Sequence, residues 1–467
     1  MKHLKSISLG IILSGLSMTG YSQSNNGAID QEVLKQIKGY VKENSADKAR
    51  LNAISSNKIR GLAFNRENYK TVNHYISNRV NVKGITNQKS SGRCWLFTGL
   101  NSVRPAVIDQ YGLGSFEYSQ TYNFFFDQLE KCNLFLEGII STADLDIKDR
   151  KVDWFLKNPL SDGGQWTTFA DNVKKYGVVP KNVMPETYHS QNTGEMGRLI
   201  KRKLREDAIR LRNLYSEKKN KEALKDAKVA MLGDIYRILT FCLGEPPVEF
   251  TWQYKDKDGK ISELEKYTPQ SFFKKHVAIN IDDYIMIMND PTRPFYQVYE
   301  IEYDRSLVDG KNWKYLNLPI KDIEEFAKAS ILANQAMYFS CDVGKQLNRD
   351  YGTLDMNNYD YTDLFGVKFG MNKSERIKTY DSGSSHAMTL VGCNITKDDK
   401  VDKWLIENSW GASHGHNGYL TMTSEWFKEY LFRLVVDKKY LSKKALKALD
   451  KKSTLLPPWD PMFAPEM

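Results

Sequence analysis

Apolar positions recur at helical spacing near the start of the chain, where Ile29, Val33, Ile37 and Val41 predict helix within 28–55 among many charged residues. A basic region of strand and loop follows, up to Gln88. From Cys94 the run Trp95, Leu96, Leu100 and Val103 predicts a helix interrupted at Pro105, because proline removes a helix donor. Met196, Leu199, Ile200, Leu204, Ile209, Leu211 and Leu214 carry the same period, and the polar positions between them are nearly all charged. That pattern predicts an inserted helical element with one buried and one wet face, ending before Gly244-Glu245-Pro246-Pro247. Residues 284–288, 297–303, 387–391 and 403–406 predict strands. The tail starts as a helix near Ser442 and turns extended or looped at Pro457-Pro458-Trp459-Asp460-Pro461. Helices early and strands late predict an α+β arrangement.

At 467 residues the chain is long enough for one large or two ordinary domains with a sizeable core. Its first residues stand apart. Lys2, His3 and Lys5 precede a short apolar stretch from Ile7 to Leu16, and small residues flank Tyr21. This reads as a cleavable signal peptide over 1–22, with the mature chain beginning near Gln23 and secreted or periplasmic. No later segment is apolar for long enough to predict a membrane span. Without residues 1–22 the formal charge falls from +10 to +8, since two lysines and no acids are lost. Part of that excess lies between Gly197 and Lys221, where ten Lys or Arg face three Asp or Glu. A solvated helix face accounts for it. Binding to nucleic acid or another polyanion is the alternative, and no aromatic interleaving or zinc spacing accompanies it. Cys94, Cys132, Cys242, Cys341 and Cys393 form no close-spaced pattern, and their odd number leaves at least one thiol over. Cys242, Cys341 and Cys393 sit in apolar stretches that predict buried, inert thiols.

Chemistry concentrates around Gln88-Lys89-Ser90-Ser91-Gly92-Arg93-Cys94-Trp95. A cysteine attacks as its thiolate, and a helix N-terminus with a nearby imidazole favours that form. Gly92 suits a tight turn into the helix, and Gln88 can place an amide beside the Cys94 N–H as an oxyanion hole. His386 heads a predicted strand, and Asn408, in Glu407-Asn408-Ser409-Trp410-Gly411, ends another. Asn408 would orient the imidazole, with Trp410 shielding the bond from water. The order Cys, His, Asn agrees with papain-like peptidases. Gly163 and Gly164 suit close approach of a substrate strand. His414-Gly415-His416 lacks a third ligand and reads as a structural loop, so no metal and no other cofactor is expected.

These blocks, with Asp162-Gly163-Gly164-Gln165-Trp166, Tyr176-Gly177-Val178-Val179-Pro180, Cys341-Asp342-Val343-Gly344-Lys345 and Trp459-Asp460-Pro461-Met462, resemble the bleomycin hydrolase or aminopeptidase C family over most of the chain. The resemblance implies a papain-like fold in which a helical subdomain carrying the nucleophile (76–190) follows an N-terminal helical arm (23–75). A helical insertion used in assembly (191–247) then precedes a β subdomain with His386 and Asn408 (248–440), and a C-terminal tail (441–467) enters the cleft. The insertion and the strands after 248 account for the surplus in the separation of Cys94 and His386, 292 positions against roughly 130–150 in ordinary papain-like enzymes. It also implies a homo-hexamer acting on peptides, and removal of single residues from the N-terminus with the Met467 carboxylate facing the substrate's α-ammonium. The ending 463–467 departs from the family's small residues, and Pro465 stiffens it. An endopeptidase of the same fold is the alternative.

Overall fold

The structure is a computed structural model describing residues 27–41, 45–277 and 279–463. The expected signal peptide and Met467, with the other residues after 463, lie outside them. The described residues divide into two compact units, the first ending at Leu62 and the second beginning at Ala63. In the first, the helices Gln31–Tyr40 and Ser45–Ser56 follow the early apolar period, Asp30 capping the former by accepting from Val33 N–H at 2.9 Å. Ile29, Ile37 and Val41 are all exposed.

The second unit is α+β, as its sequence predicts. Its helical side holds Cys94–Tyr111, Gln120–Ser141, Arg150–Lys157, Trp166–Tyr176, Gly194–Lys218 and Lys225–Leu243. Its sheet runs, in spatial order, Thr454–Leu456, Gln297–Ile301, Lys314–Asn317, Tyr284–Met288, Leu431–Asp437, Met337–Cys341, His386–Ile395, Val401–Glu407, Tyr419–Thr423, Thr353–Leu354 and Leu347–Asn348. Asn78–Arg79 also pairs with the His386 strand. One apolar cluster gathers the helices with Cys94 and Trp95, and a second gathers the central strands. The central strands are buried on both faces, so Met337–Cys341 is buried at every position, Ser340 included, rather than at alternate ones.

Pro105 does not interrupt the Cys94 helix, contrary to the expectation. It lies inside a helix that continues to Tyr111, closed by Gly112 in the left-handed region (φ 60°). Proline inside a helix costs about 3 kcal/mol. Here the helix is buried nearly throughout its first fourteen positions, and that packing outweighs the local penalty.

The inserted helices form as expected, and their positive charge has structural work to do. Arg212 donates to Thr142 and Leu145 carbonyls beyond the Gln120–Ser141 helix, at 3.1 and 2.6 Å. Arg205 donates at 2.9 Å to the Leu156 carbonyl in the last turn of the Arg150–Lys157 helix. Cations at helix C-termini satisfy orphan carbonyls and oppose the dipole. Lys203 pairs with Asp207 at 3.1 Å and Lys221 with Asp144 at 2.8 Å. No disulfide joins any of the five cysteines, and Cys242 is half-buried rather than buried because it only packs against the edge of the helical core cluster. No helix among the described residues is long and apolar enough to cross a membrane.

Candidate active site

Cys94 is the first residue of its helix and is buried. Arg93, at the N-cap, offers no side-chain cap, so the first-turn N–H groups leave a partly positive end at the sulfur. Arg93 is instead fully buried and fastened to Glu186 by two bonds of 3.1 and 2.7 Å, between the Phe97 and Phe124 rings. Burial works to raise the Glu186 carboxyl, but Arg93 and the Ser190 hydroxyl outweigh it and hold it below the usual carboxylate range.

His386 opens its strand and Asn408 directly follows the adjacent strand Val401–Glu407, as expected. Antiparallel pairing of these strands aligns Thr389 with Glu407, which brings the two side chains together. His386 Nε2 lies 2.9 Å from Asn408 Oδ1, which also accepts from Ser409 N–H at 2.7 Å. An amide oxygen can only accept, so Nε2 carries the proton and Nδ1 keeps its lone pair. Trp410 stacks over the imidazole with centroids 5.0 Å apart and planes at 26°. The Arg349 guanidinium lies over that indole in turn. Burial pushes the His386 imidazole down to about 4, the Asn408 bond opposes this and Arg349 adds to it.

Cys94 and His386 are separated by 292 residues in sequence, and the fold brings their elements together. The Cys94 helix packs on both the His386 strand and the Met337–Cys341 strand. Cys341 is the cross-strand partner of His386. Its thiol is held far above its usual value by burial, with Asp342 and then Cys94 adding to the effect. Cys94 is therefore within electrostatic reach of the residue paired with His386.

Gln88 is locked to the Asn408 segment. Its N–H donates to the Ser409 carbonyl at 2.8 Å, its Oε1 accepts from Ser409 Oγ at 2.6 Å, and Asn87 bridges Trp410. One Nε2 hydrogen goes to the Ser91 carbonyl at 2.7 Å, which leaves the other for a ligand. The left-handed residue of this loop is Lys89 (φ 55°), not Gly92. Gly92 is required for a different reason: a Cβ there would stand 2.7 Å from Asp162 Cβ.

Gly163 and Gly164 differ in what they leave open. Gly163 N–H donates to Ser161 Oγ at 2.9 Å, and its carbonyl accepts from Lys131 at 2.5 Å. A Cβ on Gly164 would stand 2.7 Å from the Trp95 indole, so the glycine lets that ring approach. Sequence reasoning did not assign roles to Arg93, Glu186, Asp162 or Lys131. Arg93 and Asp162 lie inside conspicuous motifs. Nothing local marks Glu186 or Lys131 for these roles, because Arg93 and the Gly163 carbonyl are distant from them in sequence. Among the described residues no group of three His, Cys, Asp or Glu is placed to hold a metal.

The family model described as "Peptidase C1-like family" matches residues 28–463. Bleomycin hydrolase of Homo sapiens is 40% identical over 426 residues, covering 88% of this chain and 93% of that protein. Aminopeptidase C of Listeria innocua is 39% identical over 412 residues, covering 88% and 92%. Among solved structures, PepW from Lactobacillus rhamnosis superposes with a TM-score of 0.90 at 38% identity, covering 94% of this chain and 99% of that one. With a family match over nearly all of the described residues and relatives at this identity, the chain belongs to the peptidase C1-like family, alongside the bleomycin hydrolases and aminopeptidases C, and is a papain-like cysteine peptidase.

Proposed function

We propose that this chain is an exported cysteine aminopeptidase that releases residues from peptide N-termini. The observation carrying the reading is the 2.9 Å His386–Asn408 bond beneath Trp410, beside the helix that Cys94 opens. Cys94 Sγ attacks the carbonyl carbon of the first peptide bond, and His386 Nδ1 takes the thiol proton. Burial disfavours an imidazolium here, so the proton settles on His386 when the thiolate charge is beside it. The Cys94 N–H and the second Gln88 amide hydrogen hold the oxyanion, each donor supplying about 3 kcal/mol. His386 then protonates the departing amine, leaving a thioester on Cys94. Water, deprotonated by His386, hydrolyses the thioester and releases the amino acid. Asn408 keeps the ring in the productive tautomer throughout. The reaction needs no cofactor.

Gly164 receives the substrate backbone in this reading, because its N–H and carbonyl take no hydrogen bond from the described residues. Gly163 supports it from behind through Lys131 and Ser161. Exopeptidase action follows the relatives named aminopeptidase C and needs the tail to occupy the cleft, its Met467 carboxylate meeting the substrate's α-ammonium. What supports this placement is a clamp within the tail, just before its last residues: Arg293 bridges Asp290 and Asp460, and Arg150 covers Trp459. Assembly into a homo-hexamer and export after removal of residues 1–22 complete the proposal. Native mass and N-terminal sequencing of exported material test them, with six chains and Gln23 expected.

The deciding experiment is mass analysis of products from one peptide with a free and with an acetylated N-terminus. Single-residue release from the free form only is expected, with none by Cys94→Ala. Removing residues 464–467 is expected to open internal bonds to cleavage. Equal cleavage of both peptides by the intact chain, or turnover by Cys94→Ala, would overturn the reading.

A further inference from the structure

The far end of the Cys94 helix borders a second, unrelated cavity. Tyr111 closes that helix about 25 Å from Cys94, at about 1.5 Å per residue. There the two-stranded sheet of Phe250–Trp252 with Glu265–Tyr267 and the helix Pro269–His276 enclose a cavity of about 100 Å³. Strand pairing sets Trp252 directly against Glu265 and Phe250 against Tyr267, so aromatic and acidic groups come to one place.

The walls are aromatic faces. Trp252 lies 5.1 Å from Tyr254 by centroids, and Tyr111 lies 5.0 Å from Tyr254 on another side. His276 forms the floor, packed within 5.1 Å of the Tyr111, Trp252 and Tyr267 rings. It is only 2% exposed, yet neither ring nitrogen has a hydrogen-bond partner. Buried polar groups in folded proteins are nearly always paired, so an unpaired imidazole in the wall of a cavity calls for a partner. Kept neutral by burial, it has one donor and one acceptor nitrogen. The N–H can rest on a neighbouring ring face, which leaves the acceptor open.

The rim is acidic. Glu263 lines the cavity with no ion-pair partner among the described residues. Glu265 is paired with Lys275, whose ammonium also lies 5.3 Å from the centre of the Tyr267 ring. The site thus already holds one ammonium, at the Tyr267 hydroxyl (3.2 Å), and keeps a second carboxylate unneutralised. Aromatic faces attract cations, most strongly when water is excluded, and a carboxylate at the rim adds to that attraction.

We propose that this cavity binds a small organic cation with N–H donors, an alkylammonium or guanidinium head, which lies against the Trp252 and Tyr254 rings where they line the cavity, donates to His276 and pairs with Glu263. A quaternary ammonium would satisfy the rings but not the imidazole. A neutral alcohol would satisfy neither the rings nor Glu263.

Calorimetric titration of the full chain with n-butylammonium, n-propylguanidinium, tetramethylammonium and n-butanol tests this. Saturable binding of the first two is expected, with tetramethylammonium and n-butanol at least about tenfold weaker. Glu263→Gln and Tyr254→Leu, at exposed and half-buried positions, are each expected to weaken the two N–H cations about tenfold while peptidase turnover stays unchanged. No saturable binding by the intact chain, or binding indifferent to both substitutions, would overturn the proposal. So would n-butanol binding as tightly as n-butylammonium. Because peptide turnover is read separately, failure of this site is distinct from failure of the peptidase assignment.

Discussion

Asn408 does two things with one atom: its Oδ1 accepts from the His386 ring and from Ser409 N–H. Replacing it with alanine removes the acceptor that fixes the tautomer and leaves the ring held only by Trp410. Asn408→Ala is expected to lower kcat on the order of 10²-fold with little change in KM, measured by steady-state kinetics. A loss confined to KM would instead assign Asn408 to substrate binding. Gly92 shows how a residue can be singled out correctly for the wrong reason. Its place before the nucleophile suggests a tight turn, yet what the fold requires there is room for Asp162, seventy positions away.

Among the elements, the Cys94 helix is held at its N-terminus by the buried Arg93–Glu186 pair. Removing one member of such a pair strands a charge in the core. Glu186→Ala is therefore expected to cost about 3–5 kcal/mol, seen as a lower Tm and a lower denaturation midpoint. The double replacement Arg93→Met with Glu186→Leu should recover much of that loss, because well-packed apolar groups can replace a buried ion pair. If the single variant were as stable as the parent, the pair would not be what secures the helix. The strand expected over 387–391 runs from His386 to Ile395, whereas the one at Tyr284–Met288 was legible to its ends. The continuation of the Cys94 helix through Pro105 was not, since local propensity argues against it and only surrounding packing reverses the balance.

For the whole molecule, a buried neutral histidine links folding to pH. Burial lowers His276 from 6.5 to about 4, with Lys275 adding to the effect, so between those values the unfolded chain binds the extra proton. The stability this group contributes is fully present above pH 6.5 and is lost as pH falls toward 4. Comparing the parent with His276→Phe isolates this contribution, because the other titrating groups are common to both. The Tm of the parent is expected to fall relative to the variant between pH 6.5 and 4, by calorimetry across that range. Parallel curves would mean the imidazole does not titrate as its surroundings require.

The chain's own order of residues determined the α+β class, the helical insertion and the cysteine, histidine and asparagine motifs, since period, turn chemistry and short motifs are local properties. Tertiary structure alone decided which distant groups meet: Gln88 with Ser409, Arg93 with Glu186, Lys131 with the Gly163 carbonyl. It also decided that the basic insertion would cap neighbouring helices and that His276 would face an aromatic, acid-rimmed cavity. Contacts of this kind depend on how packed layers bring remote segments within a few ångströms, and no spacing along the chain encodes that distance.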